Sequence, residues 1–298
     1  MASNSKKILV TGSAGLIGRE LCKQLVQHGH SVTSVDNNMR FPKVVPEGIY
    51  VKSNLLDYLG SAVNKFDIIY HMAAINGTSN FYSNPNLVLS NNVLADLAIF
   101  KFAESNPNCK LIYASSSEVV AGTDQFPTSE ELDITVNNIH NARWSYRLPK
   151  VLGENYLFNS KINFLVVRFF NVFSEYCGAG HFVHDIIEKV KNNNFELQGA
   201  DETRSFCYVS DAVDALINVT HLTNELINIG SDEEIVVKDA ADVIASALGY
   251  DTIVWKTNPG LLGSVKRRRP DILKLKEHYP NFNPMSFKNS IDKIKELL

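Results

Sequence analysis

The chain has 298 residues, 45% of them hydrophobic and 20% charged, with a net charge of −3. This is an ordinary soluble globular composition, long enough to bury a large core. Neither the charge nor any long apolar run gives reason to expect nucleic acid or a membrane as a partner.

In chain order, KILVTG (7–12) reads as a strand and its turn, and Leu16 to His28 as a helix ended by Gly29. SVTSVD (31–36) is the next strand, a third precedes Asn54, and FDIIYHMAA (66–74), CKLIYASS (109–116) and NFLVVRFFN (163–171) supply three more. Segments 87–105 and 142–160 carry helical spacing. The alternation predicts βα crossovers and a parallel sheet between helical layers, since strands apolar throughout are covered on both faces. After about residue 172 the regularity weakens, with helices expected over 181–191, 211–223 and 237–248 and a short strand at 226–230. The expected fold class is α/β: a doubly wound parallel sheet over 1–172 and a smaller C-terminal lobe over 173–298. Residues 205–235 are expected to return to the first domain.

Cys22, Cys109, Cys177 and Cys207 are scattered, with neither metal-ligand spacing nor a disulfide framework, so reduced thiols and no metal are expected. MASNSKK is not followed by the apolar region of a signal peptide, so a cytoplasmic location is expected.

Gly12, Gly15 and Gly18 form G-x-x-G-x-x-G between the first strand and first helix. Glycines there permit a tight turn and let helix N–H groups face a diphosphate. Leu16 and Ile17 fall inside the same loop-to-helix junction. Asp36 ends the second strand, placed to accept hydrogen bonds from ribose hydroxyls and to repel a 2′-phosphate. That favours NAD over NADP, although an aspartate here also suits a turn and Arg40 is close in sequence. Asn37, Asn54 and Leu55 border the expected adenine side; Ala73 and Ala74 follow the fourth strand, where small side chains suit either a dinucleotide or tight packing. Asn92, Tyr146 and Lys150 complete the expected cofactor set, Lys150 by binding a cofactor ribose.

Ser115, Ser116 and Ser117 end a strong apolar strand, where ligands of open α/β sheets bind. Ser117 is the first candidate to share a hydrogen bond with a sugar oxygen, Ser116 the second; a serine-rich turn is the plainer alternative. Tyr146 and Lys150 in WSYRLPK lie four apart, on one helix face. A neighbouring cation favours the phenolate, so the pair suits proton abstraction from a sugar hydroxyl. In isolation the same two residues read as a half-buried tyrosine and a surface lysine. Pro149 inside this helix removes an N–H.

With these motifs, HMAA (71–74), SSSEVVAG (115–122), VVRFFNVF (166–173), TRSFCYVSD (203–211), NIGS (228–231) and RRRPD (267–271), the chain resembles the extended short-chain dehydrogenase/reductase family, in its nucleotide-sugar branch. The resemblance covers nearly the whole length. It implies NAD in a Rossmann-type N-terminal domain, a nucleoside-diphosphate sugar in the cleft below a substrate-binding C-terminal lobe, and a homodimer. It also implies that Asn171, Arg204 and Arg269 touch the substrate.

The chain departs from the family at Ala121-Gly122, where tyrosine usually precedes the glycine, and at Ser174-Glu175, where Gly-Pro is usual. At the serine turn, an ungapped alignment replaces the usual glutamate by Val119; one inserted residue instead matches Ser116-Ser117-Glu118 to the T-S-E of uronate decarboxylases. The first expectation is a nucleotide-sugar 4-epimerase acting by transient oxidation at C4. It needs no acid or base beyond Tyr146 and Ser117. A 4,6-dehydratase or UDP-glucuronate decarboxylase using Glu118 is the alternative, then a 4-ketosugar reductase, then a non-catalytic NAD or nucleotide-sugar binding protein.

Overall fold

The computed structural model describes residues 5–62, 65–250 and 252–296. Six strands of the first half are β1 (Lys7–Thr11), β2 (Ser31–Asp36), β3 (Ile49–Lys52), β4 (Ile68–His71), β5 (Lys110–Ser116) and β6 (Asn163–Phe169). With Glu225–Ile229 they form one seven-stranded sheet, all parallel, in the order 225–229, β6, β5, β4, β1, β2, β3. The chain winds outward from β1 to β3, then crosses back to place β4 on the other side of β1. The order therefore reverses between β1 and β4, and the crevice beyond the strand ends opens there.

Alternation along each strand divides the core. Ile8, Val10, Ile112 and Leu165 face α1 (Leu16–Gln27) and helix Val209–Val219. Leu9, Ile69, Leu111 and Val166 face the other way. The helices α2 (Leu55–Ser61), α3 (Thr78–Ser83), α4 (Pro85–Glu104) and α5 (Trp144–Phe158) belong to this second half of the crossovers, and α4 and α5 cover that face. Successive strand side chains point to opposite faces, so a sheet covered on both sides reads as an unbroken apolar run. Helix α5 approaches β5 closely because residue 153 is glycine: a Cβ there would stand 2.3 Å from the Tyr113 hydroxyl.

Strand Glu225–Ile229 pairs with β6, so part of the C-terminal half belongs to the main sheet. Helix Val209–Val219 packs with α1 on that sheet, and most of the rest forms a lobe over the strand ends. It holds helices Phe182–Lys191 and Val237–Ala247 and two-stranded pairings of Glu196–Gln198 with Lys256–Asn258 and of Thr203–Arg204 with Ile235–Val236. Among the described residues no helix is long and apolar enough to cross a membrane, and no cluster of His, Cys, Asp and Glu could hold a metal ion.

Candidate active site

A cavity of about 1110 Å³ runs from the β1–α1 loop, past the ends of β4 and β5, to the underside of the lobe. The loop is built by its glycines. Gly12 has φ +68°, and a Cβ on it would stand 2.6 Å from the Ala73 backbone; a Cβ on Gly18 would fall 2.2 Å from the Gly12 carbonyl oxygen. No side chain caps the first turn of α1, so its N–H groups are open to an anion. The Ser13 hydroxyl is buried with no hydrogen-bond partner.

Gly12, Gly15, Leu16, Ile17 and Gly18 line this end, with Asp36, Asn37, Asn54 and Leu55 beside them. The Asp36 carboxylate accepts from the backbone N–H of Ala14 (3.0 Å) and Asn38 (2.7 Å), which fixes it at the end of β2. Asn37 donates to Asn54 at 3.0 Å. The Arg40 guanidinium is drawn elsewhere, donating to the Asn76 carbonyl at 3.4 Å and lying over Phe41. Ala73 and Ala74 line the middle of the cavity. Asn92 clamps the backbone of Ile75, accepting from its N–H at 2.8 Å and donating to its carbonyl at 3.1 Å. These groups suit a dinucleotide: an uncapped helix start, a loop without side chains and a carboxylate at the second strand's end.

At the far end, the three serines diverge because they alternate along β5 and its turn. Ser115 donates to Glu154, which also holds Arg168 through two contacts of 2.9 and 2.6 Å. This buried pair ties α5 to β6. Ser116 shares a hydrogen bond with the Tyr146 phenol and accepts from the Glu118 N–H. Ser117 lines the cavity from the short helical turn Ser117–Val120. The hydroxyl on the phenol is thus that of Ser116, whereas the sequence reading put Ser117 first.

Tyr146 stacks on Phe81 at 5.0 Å between ring centres. The sequence predicts a phenol whose pKa is lowered by a cation. Here burial pushes it well above its ordinary value, with Glu118 and Asp96 adding to that, and the Ser116 hydrogen bond and Arg40 opposing it. Lys150 is 1% exposed, and its ammonium faces Asp96 at 3.9 Å and the Tyr113 ring at 4.6 Å.

Glu118 reaches the cavity, but it is held. Arg143 donates to it, and Arg268 meets it at 2.8 Å. Burial would raise its pKa; the two guanidiniums outweigh that and hold it down at about 2. Asn171 lines the cavity with φ +37° and donates to the Ser205 carbonyl at 2.8 Å. Arg204 lines it beside Glu202 and donates to Ser264 at 3.1 Å.

Arg269 is not among the lining residues; Arg268 takes that place. Residues 266–268 run extended beside 203–205, with Thr203 N–H donating to Lys266, Arg268 to Thr203 and Ser205 to Arg268. Side chains of extended backbone alternate. Arg268 therefore points inward, while Arg267 pairs with Glu234 on the opposite side, where Arg269 also acts.

Arg143, Arg268, Asp96 and His71 were not singled out as site residues by sequence. Arg143 precedes Tyr146 by three and Lys150 by seven, a helical-face signal. Asp96 follows Asn92 by four on α4. Arg268 carried no signal that distinguishes it from its two neighbours.

The fold and cavity define a doubly wound α/β protein of the dinucleotide-binding class, with one cavity running from its switch point to the underside of the lobe. The NAD dependent epimerase/dehydratase family matches residues 8–230, and the chain belongs to that family. It is an NAD-dependent enzyme acting on nucleotide sugars. It is 30% identical, over 98% of both chains, to a UDP-N-acetyl-alpha-D-glucosaminuronate decarboxylase of Bacillus cytotoxicus. It is 29% identical to UDP-glucuronic acid decarboxylase 1 of Danio rerio, over 91% of this chain and 67% of that one. The crystal structure of a UDP-galactose 4-epimerase superposes with a TM-score of 0.80 at 28% identity, over 97% of each chain.

Proposed function

We propose that this enzyme oxidises a UDP-linked uronate at sugar C4 and then releases its carboxyl group as carbon dioxide. The observation that carries this reading is the pinning of Glu118 between Arg143 and Arg268 at the sugar end of the cavity. Loss of water needs an undissociated carboxyl to protonate the departing hydroxide. Glu118, held ionised at pH 7, does not supply one. Loss of carbon dioxide needs none, because a 4-keto group accepts the electron pair of the C5–carboxylate bond. Arg143, Arg204 and Arg268 outnumber Glu118 and Glu202 there, which suits the binding of an anionic substrate. The similarity to the Bacillus cytotoxicus decarboxylase over the full length points the same way.

Bound NAD would take the hydride from C4 and give it back there after the carboxyl has gone, so that the net loss is carbon dioxide alone. The chain's own part is to remove the 4-hydroxyl proton through Tyr146, with Ser116 and Ser117 beside the sugar oxygen. As carbon dioxide leaves, Tyr146 returns its proton to the C4 oxygen that gains negative charge; C5 then takes a proton from solvent in place of the carboxyl, and Tyr146 takes the enol proton back and gives it to the C4 oxygen when the hydride returns. Lys150 holds positive charge beside the phenol.

The sequence reading placed 4-epimerisation first, and one observation favours it: the 28% identity with the UDP-galactose 4-epimerase over nearly the whole chain. Purified protein incubated separately with UDP-glucuronate, UDP-N-acetylglucosaminuronate, UDP-glucose and UDP-galactose, followed by mass spectrometry and NMR, separates the two. A product lighter by carbon dioxide from either uronate is expected. Conversion between the two neutral sugars with both uronates unchanged would establish the epimerase instead.

A further inference from the structure

Beneath Lys150 lies a polar cluster that neither the cofactor loop nor the sugar pocket accounts for. Asp96, on α4, is 0% exposed in the space between α4, α5 and the sheet. One of its carboxylate oxygens accepts from the Tyr113 hydroxyl of β5 at 2.6 Å. The other lies 3.0 Å from Nε2 of His71 at the end of β4 and 3.9 Å from the Lys150 ammonium on α5. Nδ1 of His71 in turn meets the Thr11 hydroxyl, at the end of β1, at 2.7 Å. Side chains from β4, β5 and α5 thus converge on one carboxylate of α4.

The charges of this cluster can be assigned. His71 is fully buried and burial lowers its pKa, so it is neutral; its Nε2–H donates to Asp96, and its Nδ1 accepts from Thr11. Tyr113 is held protonated by burial and by Asp96. Lys150 is therefore the cation facing Asp96 within the cluster. An ammonium this deep loses its proton unless a counter-charge stands by it. Burial does lower the Lys150 pKa, while Asp96 and, more distantly, Glu154 raise it. Lys150 also lies over the Tyr113 ring face and lines the cavity with Tyr146.

We infer that Asp96 is a positioning residue for the hydride-transfer step: it keeps Lys150 charged and aims its ammonium along the Tyr113 ring toward the cavity. Tyr113 and the Thr11–His71 pair hold that carboxylate in place by occupying its other lone pairs. Because Thr11 opens directly into Gly12, the same chain of contacts ties the setting of Lys150 to the nucleotide loop. The inference rests on Lys150 acting beside Tyr146, as proposed above.

The sign of its effect follows. Asp96→Asn keeps the shape and removes the charge, so Lys150 gives up its proton at lower pH. The direct push of Asp96 on Tyr146 is upward, so its removal also eases phenol ionisation and moves the acidic limb down. The alkaline limb is the one that reports Lys150. Reduction of bound NAD on mixing with substrate, followed across pH, is expected to show that limb at least one pH unit lower in Asp96→Asn. About a tenfold to hundredfold slower rate near neutrality is expected with it. An alkaline limb where the wild type has it, with NAD still bound, would overturn the inference.

A second measurement needs no activity. Urea unfolding of Asp96→Asn, Lys150→Met and the double variant forms a cycle. The double variant is expected to be more stable than Asp96→Asn alone, because no uncompensated charge is left buried. Additive losses would overturn the inference even if Asp96→Asn folds poorly. Tyr146→Phe reports on the proposal for Tyr146 separately: turnover surviving that change would sink the Tyr146 role without touching the cycle.

Discussion

Glu118 and Arg268 meet at 2.8 Å across the roof of the sugar pocket, joining the end of β5 to the extended segment that follows the lobe. Arg143 of α5 completes the clamp from the other side. The carboxylate that the sequence offers as an acid is thereby the anion that holds two guanidiniums in the cavity wall.

Replacing Glu118 with Gln leaves both guanidiniums buried without a counter-charge. The carboxyl falls from its ordinary 4.5 to about 2 on folding. At about 1.4 kcal/mol per pH unit this is about 3 kcal/mol of stability. A group lowered on folding contributes fully above its unfolded pKa and loses that contribution as pH falls through its folded one. Urea unfolding should therefore show Glu118→Gln less stable by about 3 kcal/mol at pH 7, with the gap to wild type closing between pH 4.5 and 2. A constant gap across that window would contradict the clamp.

The two neighbouring arginines should behave differently. Arg268→Ala removes a cavity-lining guanidinium and half the clamp, so KM for the sugar nucleotide should rise at least about tenfold. Arg269→Ala acts on the side that carries Glu234 and should stay within about twofold. Steady-state kinetics on both variants checks this; equal losses would mean that the register of residues 266–269 is wrong.

Tyr146→Phe retains the stack on Phe81 and deletes the hydroxyl alone. Substrate-dependent NAD reduction should fall by about 10²–10⁴-fold. The protein should purify with the same NAD content as wild type, measured after heat release. In wild type the phenol is held above its ordinary pKa, so the rate of this half-reaction should climb with pH through the neutral range. A rate independent of pH from about 6 to 9 would argue against a phenol giving up its proton.

Asp36→Ala should weaken NAD binding by about tenfold without admitting NADP. The loss follows from two backbone N–H groups and a ribose left without their acceptor. No gain of NADP follows because Arg40 is engaged with Asn76 and Phe41, away from the end of β2. Fluorescence titration with both nucleotides tests this, and tight NADP binding would show that Arg40 swings back.

The placement of the glycines, Asp36, Ala73 and Ala74 along the cavity was legible in the sequence because it depends on local geometry: a turn too tight for Cβ, a strand end, a helix start. Tyr146 and Lys150 were readable because helical spacing places them on one face. The same reasoning stopped at β5, where alternation and the following turn send Ser115 to Glu154, Ser116 to the phenol and Ser117 to the cavity wall. It stopped again at RRRPD, where the strand register alone selects Arg268.

The sequence by itself determined the parallel α/β layering, the dinucleotide loop and the phenol–ammonium pair, because each is written within a few turns or strands of local chain. Only the tertiary structure decided the charge states. Whether Glu118 is an acid or an anion, and whether Lys150 keeps its proton, depends on Arg143, Arg268 and Asp96 arriving from distant elements. Coulomb energies in a dry interior are set by separations of a few ångströms that no spacing in the chain encodes.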